Sequence, residues 1–149
     1  MSDIRIVRGV EFHGLAQQIL SEAFKSKASF TVAVAAIAVL TGDRISCCDE
    51  GIVFAEDPTR GIATLSPMGE DHDGTATVVG VFVRPADRLR GYGKILLEAG
   101  VRRLIERGHN KIRLDLVSKG GKFIAESLPY ELRGYLDVHD FSNFQQGDM

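Results

Sequence analysis

Three cations, Arg88, Arg90 and Lys94, are interleaved with two glycines, Gly91 and Gly93, inside a span of seven residues. That grouping suits a phosphate or another compact anion. Guanidinium and ammonium groups supply counter-charge, and glycine lets backbone N–H groups approach a ligand with no Cβ in the way. Leu89 and Tyr92 complete the turn. The flanking residues must aim it. Residues 75–83 are rich in β-branched side chains and read as a strand. From Gly91 to Arg107, apolar residues at Leu97, Val101, Leu104 and Ile105 recur at helical spacing. Strand, basic glycine turn and helix, in that order, leave unpaired N–H groups and the positive end of a helix dipole at the turn.

The charge distribution agrees. Over residues 84–113 there are nine Lys/Arg against three Asp/Glu, and the rest of the chain carries nine basic and seventeen acidic residues. A basic patch inside a chain of net charge -2 points to a small polyanion rather than to nucleic acid. A chain of 149 residues with 44% apolar content forms one domain, 1–149, with a real core. Cys47 and Cys48 are adjacent, which suits neither a disulfide nor zinc, and they read as reduced thiols. The beginning of the chain lacks a signal-peptide profile, and the longest apolar run, 32–40, is too short to span a bilayer. The expectation is a soluble, cytoplasmic protein with no membrane contact. His13, His109 and His139 form no metal spacing and are expected at the surface.

In chain order, residues 3–8 alternate as a first strand, and Phe12, Leu15, Ala16, Ile19, Leu20, Ala23 and Phe24 mark an amphipathic helix over 10–24. Residues 29–40 mix strand and helix formers and are read as helix, broken at 41–43. Residues 51–56 and 62–66, joined by Asp57-Pro-Thr-Arg-Gly, make an antiparallel hairpin. A loop over 68–74 leads to the central strand, where Gly80 signals a bulge or a close approach. The following helix ends at Arg107-Gly108. Residues 111–117 alternate strictly and form a strand parallel to the central one, in a right-handed βαβ unit. Residues 118–121 read as a turn, 122–130 as a short helical stretch interrupted by Pro129, 133–138 as a last strand, and 139–149 as a loose polar tail. The class is α/β: a mixed, mostly antiparallel sheet flanked by helices.

Two nucleotide motifs fail at the turn. Arg88 stands where a P-loop needs its first glycine and Ile95 where it needs Ser or Thr. A dinucleotide fingerprint fails at Leu96, where a third small residue is required. The run Val83-Arg-Pro-Ala-Asp-Arg88-Leu-Arg90-Gly91-Tyr-Gly93 instead resembles the GNAT superfamily of acyl-CoA-dependent N-acyltransferases, whose signature is Arg/Gln-x-x-Gly-x-Gly/Ala after a strand. Leu89 departs from the glycine common there. Ala125 with Tyr130-Glu-Leu-Arg-Gly134-Tyr135 resembles that family's Ala-x-x-x-x-Tyr-Glu-x-x-Gly-Phe segment, with Phe123 in place of the usual asparagine.

The resemblance implies acetyl-CoA as co-substrate and no metal. It implies that Arg88, Leu89, Arg90, Gly91, Tyr92, Gly93 and Lys94 hold the phosphates, and that backbone groups of Val81 and Val83 pair with the pantetheine arm as an added strand. An N–H near Val81 or Phe82 would polarise the thioester carbonyl. Tyr130 stands where the family's acid tyrosine stands, with a phenol pKa near 10 suited to a thiolate leaving group. The central strand has no carboxylate, so the base is open among Glu56, Asp71, His72, Asp115 and a water chain. The acceptor is an unidentified primary amine, cationic by the chain's acidic balance. The final sheet edge is completed either by the tail or by a second subunit in a homodimer. A non-catalytic acyl-CoA-binding or interaction module is the alternative.

Overall fold

The computed structural model describes residues 3–25, 48–67, 75–116 and 119–140. The elements run β1 (Ile4–Arg8), α1 (Gly9–Lys25), β2 (Glu50–Phe54), β3 (Gly61–Ser66), β4 (Ala76–Val83), a 3-10 turn (Pro85–Asp87), α2 (Tyr92–Glu106), β5 (Ile112–Leu116), α3 (Lys119–Glu126), α4 (Tyr130–Arg133) and β6 (Leu136–Asp140). Among the described residues the strands form one six-stranded sheet in sequence order. β1 to β4 are antiparallel neighbours, while β4–β5 and β5–β6 are parallel. The α/β class, the mixed sheet, the hairpin and the parallel unit at the glycine turn are as the sequence predicts. The helix expected over 29–40, its break at 41–43, the loop over 68–74 and the tail beyond 140 lie outside the described residues, with Cys47, Asp71 and His72.

The sheet separates two apolar clusters. On one face α1 buries Phe12, Ala16 and Ile19 against Val7, Val53 and Ile62. On the other, α2 buries Leu96, Leu97, Val101 and Leu104 against Ile52, Phe54, Ala63, Leu65, Val78 and Leu114. Alternation along β2 and β3 therefore feeds both cores, and every residue of these two strands is buried. α2 seats closely because Gly100 has no side chain: a Cβ there would lie 3.0 Å from a Leu65 methyl. Where β2 begins, buried Glu50 receives Arg8, Arg103 and Arg107, tying β1 and β2 to the C-terminal turn of α2.

Two readings are corrected. Lys119, Gly120 and Gly121 lie in α3 rather than in a turn. The weak propensity of two glycines is overridden because Ala125 and Leu128 are anchored in the α2-side core, with Ile124 packed against it. The last strand begins at Leu136, since Arg133 belongs to α4, a turn held by buried Leu132. It continues through His139 and Asp140, which the sequence reading gave to a loose tail.

Candidate active site

The site begins as a defect in sheet pairing. β4 pairs with β5 only from Ala76 to Val78. At that point the β3–β4 register shifts, so Leu65 faces Val78, Thr64 faces Gly80, and Val79 is the extra residue. This is the bulge that Gly80 signals, with the added residue one place earlier. β5 continues alongside β6, pairing Asp115 with His139 and Leu116 with Asp140. The second half of β4 therefore parts from β5, and a cleft of about 650 Å³ opens between them. The Phe82 ring lies over Gly80: a Cβ there would come within 2.5 Å of the ring and would have to displace it.

The ladder decides which backbone groups face the cleft. The Arg84 N–H donates to the Arg60 carbonyl at 2.7 Å, in register with Ile62 opposite Phe82. Hydrogen-bonded pairs alternate along an antiparallel ladder. Phe82 thus spends its N–H and C=O on β3, while those of Val81 and Val83 turn toward the opening. Arg88 uses that side, its Nε donating to the Val83 carbonyl at 3.1 Å. Of the two amides expected at a thioester carbonyl, the Val81 N–H has the outward direction; the Phe82 ring packs on the α1 side.

Beyond β4 the chain turns through Pro85–Asp87 and enters α2 with two residues in the left-handed region, Leu89 at φ 66° and Gly91 at φ 83°. That conformation costs a non-glycine residue about 1–2 kcal/mol, which accounts for the preference for glycine where Leu89 stands. Gly91 caps α2. Gly93 admits α3, since a Cβ there would lie 3.0 Å from Ile124 Cδ1. Arg88, Leu89, Gly91, Tyr92, Gly93 and Lys94 all line the cleft, as do Val81, Phe82 and Val83. Arg90 does not; it points outward, 3.9 Å from Asp87. Tyr92 is fixed from behind by the Arg60 guanidinium, 4.5 Å from its ring centroid.

Much of the basic excess over 84–113 is committed elsewhere. Arg102 binds Glu98 and Glu131, Arg103 binds Glu50 and Glu106, Arg107 binds Asp49 and Glu50, and Arg113 binds Asp115. Arg88 and Lys94 are the cations of the turn that line the cleft.

The opposite wall comes from β5, α3 and the turn after α3, including Asp115, Gly120, Gly121, Phe123 and Ser127. Phe123 is 74% exposed at this wall. Tyr130 stands apart: it is 86% exposed on α4 and does not line the cleft. Of the described candidates for a base, Asp115 is in the wall, 2.9 Å from Arg113 Nε, whereas Glu56 lies in the β2–β3 turn, paired with Arg60. His13 is exposed; His109 and His139 are half-buried, the latter 3.2 Å from Asp137. Sequence reasoning missed Asp87 in the wall and Arg84 behind it; their i, i+3 spacing across Pro85 is the signal that was available. Among the described residues no group of His, Cys, Asp and Glu could hold a metal ion, and no helix is long and apolar enough to cross a membrane.

Residues 40–121 match the acetyltransferase (GNAT) family. No curated protein matches the chain. Among solved structures, a GNAT family acetyltransferase from Brucella melitensis in complex with acetyl-CoA is similar at 21% identity, covering 75% of this chain and 75% of that one, with a TM-score of 0.54. The GNAT family N-acetyltransferase YhbS from Escherichia coli, in complex with CoA, is 18% identical, covers 78% of this chain and 63% of its own, and gives a TM-score of 0.56. A GCN5-related N-acetyltransferase from Ralstonia eutropha is 15% identical over 85% of this chain and 90% of that one, at a TM-score of 0.53.

Proposed function

The chain belongs to the GNAT acetyltransferase family, and from that premise we propose that it transfers the acetyl group of acetyl-CoA to a primary amine. One observation carries the reading: the β4–β5 cleft runs along the outward backbone groups of Val81 and Val83 and ends at the glycine turn capping α2. Pantetheine is an extended arm with two amides, so it fits a strand-like edge. A diphosphate fits the N–H groups of Tyr92, Gly93 and Lys94 with the Arg88 and Lys94 cations. Acetyl-CoA or CoA in the B. melitensis and E. coli structures supports this choice of co-substrate.

In the proposed reaction the cationic amine first gives one proton to a base or to water, the neutral nitrogen then attacks the thioester carbon, and the carbonyl oxygen gains charge that the Val81 N–H stabilises. The C–S bond then breaks, a second amine proton leaves to a base or to water, and the thiolate takes a proton from an acid. We assign reception of the cationic amine to Asp115, because it lines the cleft and its carboxylate is only 16% exposed. The acid role falls to Tyr130 by its motif; the exposed phenol must swing inward to serve. Buried, reduced Cys48 fits a cytoplasmic setting. We extend the reading to a homodimer, because β6 is an outer strand of the described sheet and open edges invite pairing. Light scattering that finds only monomer at high micromolar concentration overturns the dimer.

Calorimetric titration of acetyl-CoA into wild type and an Arg88→Ala, Gly91→Glu double variant tests the site. Micromolar binding that the variant loses is expected, and a wild type that does not bind overturns the proposal. A non-catalytic acyl-CoA-binding module is the second reading, favoured by the exposure of Tyr130 and by the lack of a carboxylate on β4. Thioester turnover with a panel of amines separates the two.

A further inference from the structure

A carboxylate sits where an anionic ligand should be least welcome. Asp87 lines the cleft beside Arg88 and Leu89, and its side chain is only 13% exposed. An uncompensated negative charge at that depth would repel a diphosphate. Arg84 compensates it, with Nε donating to Asp87 Oδ2 at 2.6 Å.

The same guanidinium reaches a second loop. Its Nη2 donates to Asp57 Oδ2 at 2.9 Å and its Nη1 to Thr59 Oγ1 at 3.2 Å, while Thr59 donates to Asp57 Oδ1 at 3.1 Å. Backbone bonds run alongside, from the Arg84 N–H to the Arg60 carbonyl and from the Asp87 N–H to the Arg84 carbonyl. The β2–β3 turn and the anion turn are therefore joined through one side chain, which does not itself line the cleft.

We propose that Arg84 is a positioning residue for the phosphate end of the cleft: it neutralises Asp87 and fixes the turn from Pro85 to Gly91 against the β2–β3 turn. The inference rests on acetyl-CoA as the co-substrate. It separates the two ends of that ligand, because Asp87 belongs to the anion turn while the acyl end lies along Val81.

The test is calorimetric titration of wild type, Arg84→Ala, Asp87→Asn and the Arg84→Ala, Asp87→Asn double variant. Each is titrated with acetyl-CoA and with S-acetylpantetheine, which has no phosphate. Arg84→Ala should weaken acetyl-CoA about tenfold and leave S-acetylpantetheine within twofold of wild type. Asp87→Asn alone should bind acetyl-CoA at least as well as wild type, and added to Arg84→Ala it should restore most of the loss. Equal loss of both ligands in Arg84→Ala, no loss of either, or no restoration by Asp87→Asn overturns the inference while wild-type binding leaves the proposed function standing. A wild type that binds neither ligand overturns both.

Discussion

The carboxylate of Glu50 accepts two hydrogen bonds from Arg103, at 3.0 Å from Nε and 2.8 Å from Nη2. These bonds, with Arg8 and the nearby charge of Arg107, outweigh the cost of burial and hold the Glu50 carboxyl down at about 2. The folded value lies below the ordinary 4.5, so the stabilisation is complete above pH 4.5 and is lost as pH falls from there toward 2. Its size is about 3 kcal/mol. Urea unfolding from pH 7 to pH 3 should show wild type losing stability in that window, whereas Glu50→Gln starts lower and lacks that part of the slope.

Leu89 holds a left-handed backbone with its side chain in solvent, so the side chain returns little for the strain. Leu89→Gly should raise unfolding stability by up to about 1 kcal/mol. Leu89→Ala keeps the Cβ and should not. Equal midpoints for both variants would refute strain at this residue.

Gly80→Val forces the Phe82 ring off β4, since even a Cβ would lie 2.5 Å from it. The expected cost is about 1–3 kcal/mol of stability. At least a tenfold loss of acetyl-CoA affinity should accompany it, read by calorimetry at a temperature where the variant is folded.

Tyr130→Phe should lower kcat about a hundredfold, within the range for loss of a general acid, while acetyl-CoA affinity and stability stay unchanged because the ring is exposed. An unaltered kcat removes Tyr130 from the mechanism.

Asp115→Asn removes the carboxylate that we propose receives the amine. The KM for the amine should rise about tenfold, as expected when a charge-assisted contact becomes a neutral one, with acetyl-CoA affinity unmoved. A change confined to acetyl-CoA binding would assign Asp115 to the other ligand.

The stretch from 75 to 108 is the most legible part of the sequence, because each of its signals is local. β-Branched residues make β4, a glycine marks its bulge, and the apolar period of α2 fixes the face that Leu97, Val101 and Leu104 bury. What is not local is not legible there. A charge count cannot tell a free arginine from a committed one: Arg102, Arg103 and Arg107 meet carboxylates 29, 53 and 58 residues away. Gly120 and Gly121 read as a turn, yet the packing of Ala125 and Leu128 makes them helix. Tyr130 is found by its motif, but its exposure depends on how α4 lies on the rest of the fold.

Val79 makes β4 one residue longer than its neighbour requires. On either side of it the pattern is that of an ordinary strand: Ala76, Val78, Val81 and Val83 serve the α2 side, while Val79 and Phe82 serve the α1 side. Deleting Val79 would leave every other residue on its present side and make the ladder continuous. The sheet would be better knit, and β4 could run on beside β5 with nothing between them. The opening is thus encoded in chain length as well as in the glycine beside the bulge, and a single deletion would remove it without changing any other residue.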